Sequence, residues 1–221
     1  PNRAVPVAAD YIIGPGDTLQ IQLFGNQNVE YELPVERNGA IRFPEIGPIT
    51  VAGLTYSRVQ ELIGQRVREQ FIGTQVSVTL GELRALQIFV VGDVKEPGSY
   101  SVSPMATITT ALAISGGVAE QGTLRRIQLK RAGEVVRTLD VYDLLLRGDT
   151  RDDVRLQSGD VVFVPPVGTR VAVAGEVNRP AIYEYRGAAD VEDAISLAGG
   201  LRPTAYKAGV KVRRLEPAAG F

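Results

Sequence analysis

Val90-Val91-Gly92-Asp93-Val94-Lys95-Glu96-Pro97-Gly98-Ser99-Tyr100 returns without a gap as Val173-Ala174-Gly175-Glu176-Val177-Asn178-Arg179-Pro180-Ala181-Ile182-Tyr183. The offset is 83 residues, and it goes on to pair Ala111-Leu112 with Ala194-Ile195 and Gly116-Gly117 with Gly199-Gly200. A register kept over that length is an internal repeat of one structural unit. Within the unit, residues 87–92 are apolar and β-branched, the pattern of a strand buried on both faces. Lys95-Glu96-Pro97-Gly98 is a turn, because Pro presets φ and Gly accepts a positive one. Residues 99–102 then return as the second strand of a hairpin. A short helix is expected over residues 107–115, with Ile108, Ala111 and Leu112 on one face. The pair Gly116-Gly117 closes it with a left-handed cap. In the second copy Asp190, with Asp193 three residues on, marks the helix start ahead of Val191, Ala194 and Ile195.

Upstream of the repeat, residues 1–10 are rich in Pro and Ala and read as a tail. Gly14-Pro15-Gly16-Asp17 is a turn that feeds a strand running to Gly25. There Leu19, Ile21 and Leu23 alternate with Gln20 and Gln22, so one face is buried and one wet. Residues 29–35 make a second strand, and Asn38-Gly39 signals a hairpin turn between Val35 and Phe43. Pro44 and Gly47-Pro48 break the next strand, which resumes at Ile49-Thr50-Val51. A helix is expected over residues 54–71, with Val59, Leu62, Ile63 and Val67 at helical spacing and Thr55 or Ser57 as its cap. Gly64 inside it costs about 1 kcal/mol against Ala, which points to a close packing contact. Residues 75–80 alternate again and close this first unit.

After the first copy's helix, residues 127–130 and 135–139 flank Ala132-Gly133-Glu134 as a hairpin. Residues 140–147 form a short helix with Asp140 as N-cap, Leu144 and Leu145 inward, and Gly148 past its end. Gln157-Ser158-Gly159-Asp160 turns into an apolar strand, residues 161–164, which Pro165-Pro166 stops. This Gly-Asp turn echoes Gly16-Asp17: Gly makes the turn and Asp bonds its backbone. In the second copy, residues 210–214 align with residues 127–131. The sequence then ends about 28 residues before that copy would be complete. Its last strand would be missing, so residues 171–175 and 210–214 are expected to show an open edge or an exposed apolar face.

Composition narrows the chemistry. Twenty-four basic residues stand against 25 acidic ones, a net charge of −1, without the basic excess of a nucleic-acid binder. No apolar run is long enough for a transmembrane helix. The chain opens Pro1-Asn2-Arg3, without Met or a signal peptide, as a processed or trimmed product would. It contains no His and no Cys. Ser-His-Asp triads, imidazole metal sites, thiolate nucleophiles, disulfides and zinc–thiolate sites are therefore excluded. No catalytic, cofactor or metal residue is assigned, and an enzyme is the least favoured reading.

Several side chains are weighed against structural roles. Arg125, Arg126, Lys130, Arg131 and Arg137 cluster on one hairpin. Of these, Arg125, Arg126 and Lys130 are candidate contacts for an acidic polymer or a neighbouring subunit, against a solvated strand face. Arg126 and Lys130 alternate with Ile127 and Leu129. Tyr100 and Tyr183 are candidates for stacking on sugars, against core packing at equivalent positions. Asp17 and Asp160 read as turn-capping residues before sugar ligands, and Asp152-Asp153 as a solvated loop.

Tyr11-x-x-Gly14-Pro15-Gly16-Asp17-x-Leu19, then Asn38-Gly39 with Ile41-x-Phe43-Pro44-x-Ile46-Gly47, then Ala52-Gly53-Leu54-Thr55, resembles the polysaccharide biosynthesis/export domain. The repeated units resemble SLBB domains (soluble-ligand-binding β-grasp). One export domain followed by SLBB units resembles the Wza-like outer-membrane polysaccharide export (OPX) family, over roughly residues 10–215. The resemblance implies an α+β protein, an N-terminal export domain followed by β-grasp-like SLBB repeats. Its expected division is a tail (1–10), an export domain (11–86), a first SLBB domain (87–167) and a second, incomplete one (168–221). The function implied is non-enzymatic: the periplasmic part of an oligomeric conduit exporting capsular or extracellular polysaccharide across the outer membrane. The implied partners are polysaccharide, identical subunits in a ring, and an inner-membrane polysaccharide co-polymerase, with no nucleic acid. Attachment to the outer membrane would come through a segment not in this chain. A soluble carbohydrate-binding module and a structural spacer of an envelope complex are the alternatives.

Overall fold

A computed structural model describes residues 7–26, 28–186 and 190–213. The first unit contains β1 (Thr18–Gly25), β2 (Val29–Pro34), β3 (Ala40–Phe43), β4 (Gly47–Thr50), α1 (Tyr56–Gln70) and β5 (Thr74–Leu80). β1 is the centre of an antiparallel sheet ordered β2-β1-β5. Its alternation works as the sequence suggests: Leu19, Ile21 and Leu23 are buried in one cluster with Val59, Ile63 and Val67 of α1. Thr55 caps α1 by accepting from the Arg58 N–H. Gly64 is buried in α1, and a Cβ there would stand 3.3 Å from Arg68 Nη1. The stretch read as a tail is anchored from Val7 onward. Val7 packs on the core, and the Ala8 and Ala9 carbonyls accept from the N–H groups of Tyr11 and Ser57. Residues 1–6 lie outside the described residues.

Two expectations for this unit are corrected. Asn38-Gly39 does turn, with the Asn38 side chain accepting from the Ala40 N–H at 3.0 Å. The strands on either side do not form a hairpin, however, because β2 pairs with β1 while β3 pairs with β4. Gly47-Pro48 does not break a strand either. Pro48 lies inside β4, opposite Arg42, in a two-stranded ribbon where a missing N–H on the free side costs no ladder bond.

The second unit comprises β6 (Leu86–Gly92), β7 (Gly98–Val102), α2 (Ile108–Ile114), β8 (Ile127–Arg131), β9 (Glu134–Leu139), α3 (Val141–Arg147) and β10 (Val161–Val164). The sheet runs β7-β6-β10-β8-β9, with β6 and β10 parallel at its centre and every other neighbour antiparallel. Counted in chain order this is 2-1-5-3-4, a β-grasp arrangement. Ile108, Ala111 and Leu112 of α2 join Ile88, Val90, Leu129, Val162 and Val164 in one core. The Gly116 and Gly117 N–H groups return to the carbonyls of Ala113 and Leu112, closing α2 as expected. β6, though, is not buried on both faces. It alternates, and Phe89 is 45% exposed, because helix covers only one side of the sheet. In α3, Asp140 caps and Gly148 terminates with φ 69°. Leu145, expected inward, is 69% exposed.

The second copy has β11 (Arg170–Val173), β12 (Ala181–Glu184) and α4 (Val191–Leu197). The 83-residue repeat extends to individual bonds. Lys95 N–H to Gly117 C=O is matched by Asn178 to Gly200, both 3.0 Å, and Glu96 to Ser115 is matched by Arg179 to Ala198. The bridge Val94–Val118 is matched by Val177–Leu201. What the second copy lacks is depth. Among the described residues its buried cluster is Val177, Tyr183 and Ala198, against fifteen buried residues in the first copy. Among the described residues, too, β11 pairs with β12 alone. Residues 210–213 form no strand, and Val212 is 61% exposed; Arg214 lies outside the described residues. In the first copy the equivalent strand β8 is held between β10 and β9, and among the described residues the second copy offers neither neighbour. We therefore expect amides of β11 and β12 to exchange with solvent much faster than those of β6 and β10 in dilute protein. Equal protection would mean that the second copy is self-sufficient.

Candidate functional site

Both Gly-Asp turns seat a fully buried carboxylate beneath the start of a strand. Asp17 accepts from the Gly14 N–H (2.8 Å), the Arg84 N–H (2.9 Å), the Tyr11 hydroxyl (2.9 Å) and Arg84 Nη1 (2.6 Å). Asp160 accepts from the Gln157 N–H (2.7 Å) and from Nε and Nη2 of Arg131, each at 2.8 Å. In each turn the Asp N–H also reaches back to the carbonyl three residues earlier, at 3.1 Å. These carboxylates are spent on internal donors, which supports turn-capping over sugar binding. Hydrogen bonding to Asp160 raises the Arg131 pKa. Burial, then donation to Asp17, pushes the Tyr11 phenol well above its ordinary value. A phenol kept neutral by folding contributes fully below its ordinary pKa, near 10, and that contribution is lost as pH rises beyond it. Stability should therefore decline less steeply above about pH 10 in Tyr11→Phe than in the parent. An unchanged slope would remove Tyr11 from the alkaline transition.

The basic hairpin divides into inward and outward groups. Arg125 is only 8% exposed, so it is not the surface contact expected from its place in the cluster. Its Nε bonds Asp140 at 3.0 Å, its Nη1 donates to the Glu184 carbonyl at 3.2 Å, and its guanidinium lies 4.7 Å from the Tyr142 ring centre. Arg131 is paired with Asp160, and Arg137 comes within 3.7 Å of Asp152. Arg126 and Lys130 remain outward. Arg126 donates to the Pro166 carbonyl at 3.3 Å, and Lys130 Nζ sits 4.6 Å from the Phe163 ring centre. Among the described residues, no carboxylate forms an ion pair with either.

Glu184 was not among the sequence candidates, yet it organises the junction between the two repeated units. Its Oε1 accepts from the Thr123 hydroxyl (2.6 Å) and the Gly168 N–H (2.8 Å), and its Oε2 from the Leu124 N–H (2.8 Å). Its own N–H donates to the Tyr142 hydroxyl at 3.0 Å, and Tyr142 meets Tyr183 edge-on at 6.4 Å. Arg186 of the second copy approaches Asp140 and Asp143 at 3.6 and 3.9 Å. One signal was present in the sequence: the repeat places Ser101 where the second copy has Glu184.

The remaining candidates are structural. The Tyr100 and Tyr183 hydroxyls donate to the carbonyls of Glu96 and Arg179, the same bond in both copies. Asp153 is not a free loop residue. It accepts from the Thr109 N–H (2.9 Å) and hydroxyl (2.6 Å), holding the first turn of α2. Among the described residues, no group of three or more carboxylates converges as a metal site would, and no helix is long and apolar enough to cross a membrane.

Domain comparisons agree with this architecture. The polysaccharide biosynthesis/export protein model matches residues 5–81, and SLBB domain models match residues 86–164 and 170–220. The chain thus carries an export domain followed by SLBB domains. It is 31% identical over 192 residues to the polysialic acid transport protein KpsD of Escherichia coli, covering 86% of this chain and 34% of that protein. It is 33% identical over 193 residues to the EPS I polysaccharide export outer membrane protein EpsA of Ralstonia nicotianae, covering 85% and 50%. It is 30% identical over 191 residues to the capsule polysaccharide export outer membrane protein CtrA of Neisseria meningitidis, covering 83% and 46%. Over most of its length the chain is thus similar to outer-membrane polysaccharide export proteins. It spans between a third and a half of the length of these relatives.

Proposed function

We propose that this chain is the periplasmic part of an oligomeric conduit that exports capsular or extracellular polysaccharide across the outer membrane. The observation that carries the reading is the domain order, an export domain and then SLBB units, in a chain similar over 83–86% of its length to relatives named as polysaccharide transport and export proteins. Residues 11–86 act as the export unit, and residues 87–167 and 168–221 as SLBB units. Identical subunits assemble into a ring, and an inner-membrane polysaccharide co-polymerase delivers the polymer. The role is non-enzymatic. Among the described residues the four buried carboxylates, Asp17, Asp140, Asp160 and Glu184, are all engaged by internal donors, which supports scaffolding over acid–base chemistry.

Deleting the gene in its host should abolish surface polysaccharide and leave polymer inside the envelope, with both defects reversed by complementation. Undiminished surface polymer in the deletion strain would refute the reading. Purified chain incubated with capsular and extracellular polysaccharides should leave their length unchanged. Depolymerisation that survives repurification would overturn the non-enzymatic role.

A further inference from the structure

The sheet β7-β6-β10-β8-β9 has one face against α2 and, among the described residues, no helix over the other, which is half-exposed. Its register builds two rows of side chains across the open face. One row runs Ser99, Phe89, Val161, Lys130 over β7, β6, β10 and β8. The next runs Val91, Phe163, Gln128 over β6, β10 and β8. Phe89 is exposed, Phe163 is half-buried, and Lys130 lies over the Phe163 ring. Arg126, outward and just ahead of β8, follows the same alternation as Gln128 and Lys130. No residue in these rows is Asp or Glu. The first row spans three strand spacings, about 14 Å, the reach of a short oligosaccharide.

Each part of this face answers one part of an acidic sugar. The C–H face of a pyranose ring stacks on an aromatic ring, its hydroxyls bond serine and amide side chains, and its carboxylate pairs with Lys or Arg. The charge argues against a two-fold contact with a second copy, which would bring Lys130 and Arg126 close to their own images. We infer that the open face of the first SLBB sheet binds an anionic glycan, with sugar rings on Phe89 and Phe163 and carboxylates on Lys130 and Arg126. The inference rests on the export reading and names the polymer class and the surface that meets it.

The test titrates purified chain with oligosialic acid, oligogalacturonate and neutral maltooligosaccharides of equal length, followed by amide NMR and calorimetry. The carboxylated probes should shift the Phe89, Gln128 and Phe163 amides. They should bind about tenfold more tightly than the neutral ones, the worth of one hydrogen-bonded charge. Arg126→Glu with Lys130→Glu, and separately Phe89→Ala, should each weaken that binding about tenfold or more without lowering the melting temperature. The inference is overturned by absence of binding to both carboxylated probes, by equal affinity for the neutral ones, or by variants that bind like the parent. It is also overturned by self-association that Phe89→Ala abolishes, which would assign the face to a second copy. None of these outcomes alters the export reading, which stands or falls on surface polymer in cells.

Discussion

Asp17→Ala is expected to destabilise the export unit by roughly 3 kcal/mol or more, the cost of leaving several buried donors without their acceptor. The carboxylate is fully buried, and its loss strands the Tyr11 hydroxyl, two backbone N–H groups and the Arg84 guanidinium. Arg84 lies in the connection between β5 and β6, so the same change loosens the link to the first SLBB sheet. In a chain of this size the loss amounts to a fall in melting temperature on the order of 10 °C. Asp17→Asn should fall between, since one acceptor oxygen survives. Asp160→Ala should cost less, because the side chain of Arg131 is 36% exposed and regains water. Calorimetry of the three variants checks the order, and a loss under about 1 kcal/mol for Asp17→Ala would contradict the buried pair.

Glu184→Ala should release the second SLBB unit from the first. It leaves the Thr123 hydroxyl and the Leu124 and Gly168 N–H groups without their acceptor. At about 1–3 kcal/mol for each buried donor left unpaired, the expected loss is roughly 3 kcal/mol or more. Val177, Tyr183 and Ala198 make too small a cluster to compensate. Exchange protection in β11 and β12 should disappear, and protease should cut within residues 165–170, while β6 and β10 stay protected. Glu184→Gln should give a partial effect, because one of its two acceptors becomes a donor. Hydrogen exchange with limited proteolysis reads all of this. Unchanged protection of β11 and β12 in Glu184→Ala would show that the junction is held elsewhere. For a subunit proposed to stack its domains along a conduit, this junction ties successive SLBB units together. Arg125, Asp140 and Tyr142 reinforce it from the first SLBB unit.

The repeat, the turns, the helix caps and the alternation of β1 were legible in the chain because each depends on residues a few positions apart. Gly116-Gly117 ends α2 through its own backbone freedom, and Asp190 caps α4 through the N–H three residues on. The family motifs were legible for the same reason. What tertiary structure alone decided was the fate of each charge and each strand face. Arg125 and Arg126 are neighbours in sequence, yet one is buried against Asp140 and the other faces outward. β6 looked buried on both sides because its composition is apolar, but whether a second layer covers it depends on elements packed from elsewhere. Asp17 finds Arg84 67 residues away, and Glu184 finds Thr123 at a separation of 61. Local patterning specifies alternation and turns through steric and hydrogen-bonding preferences of adjacent residues. The pairing of buried charges is settled only when distant segments exclude water from the same few ångströms.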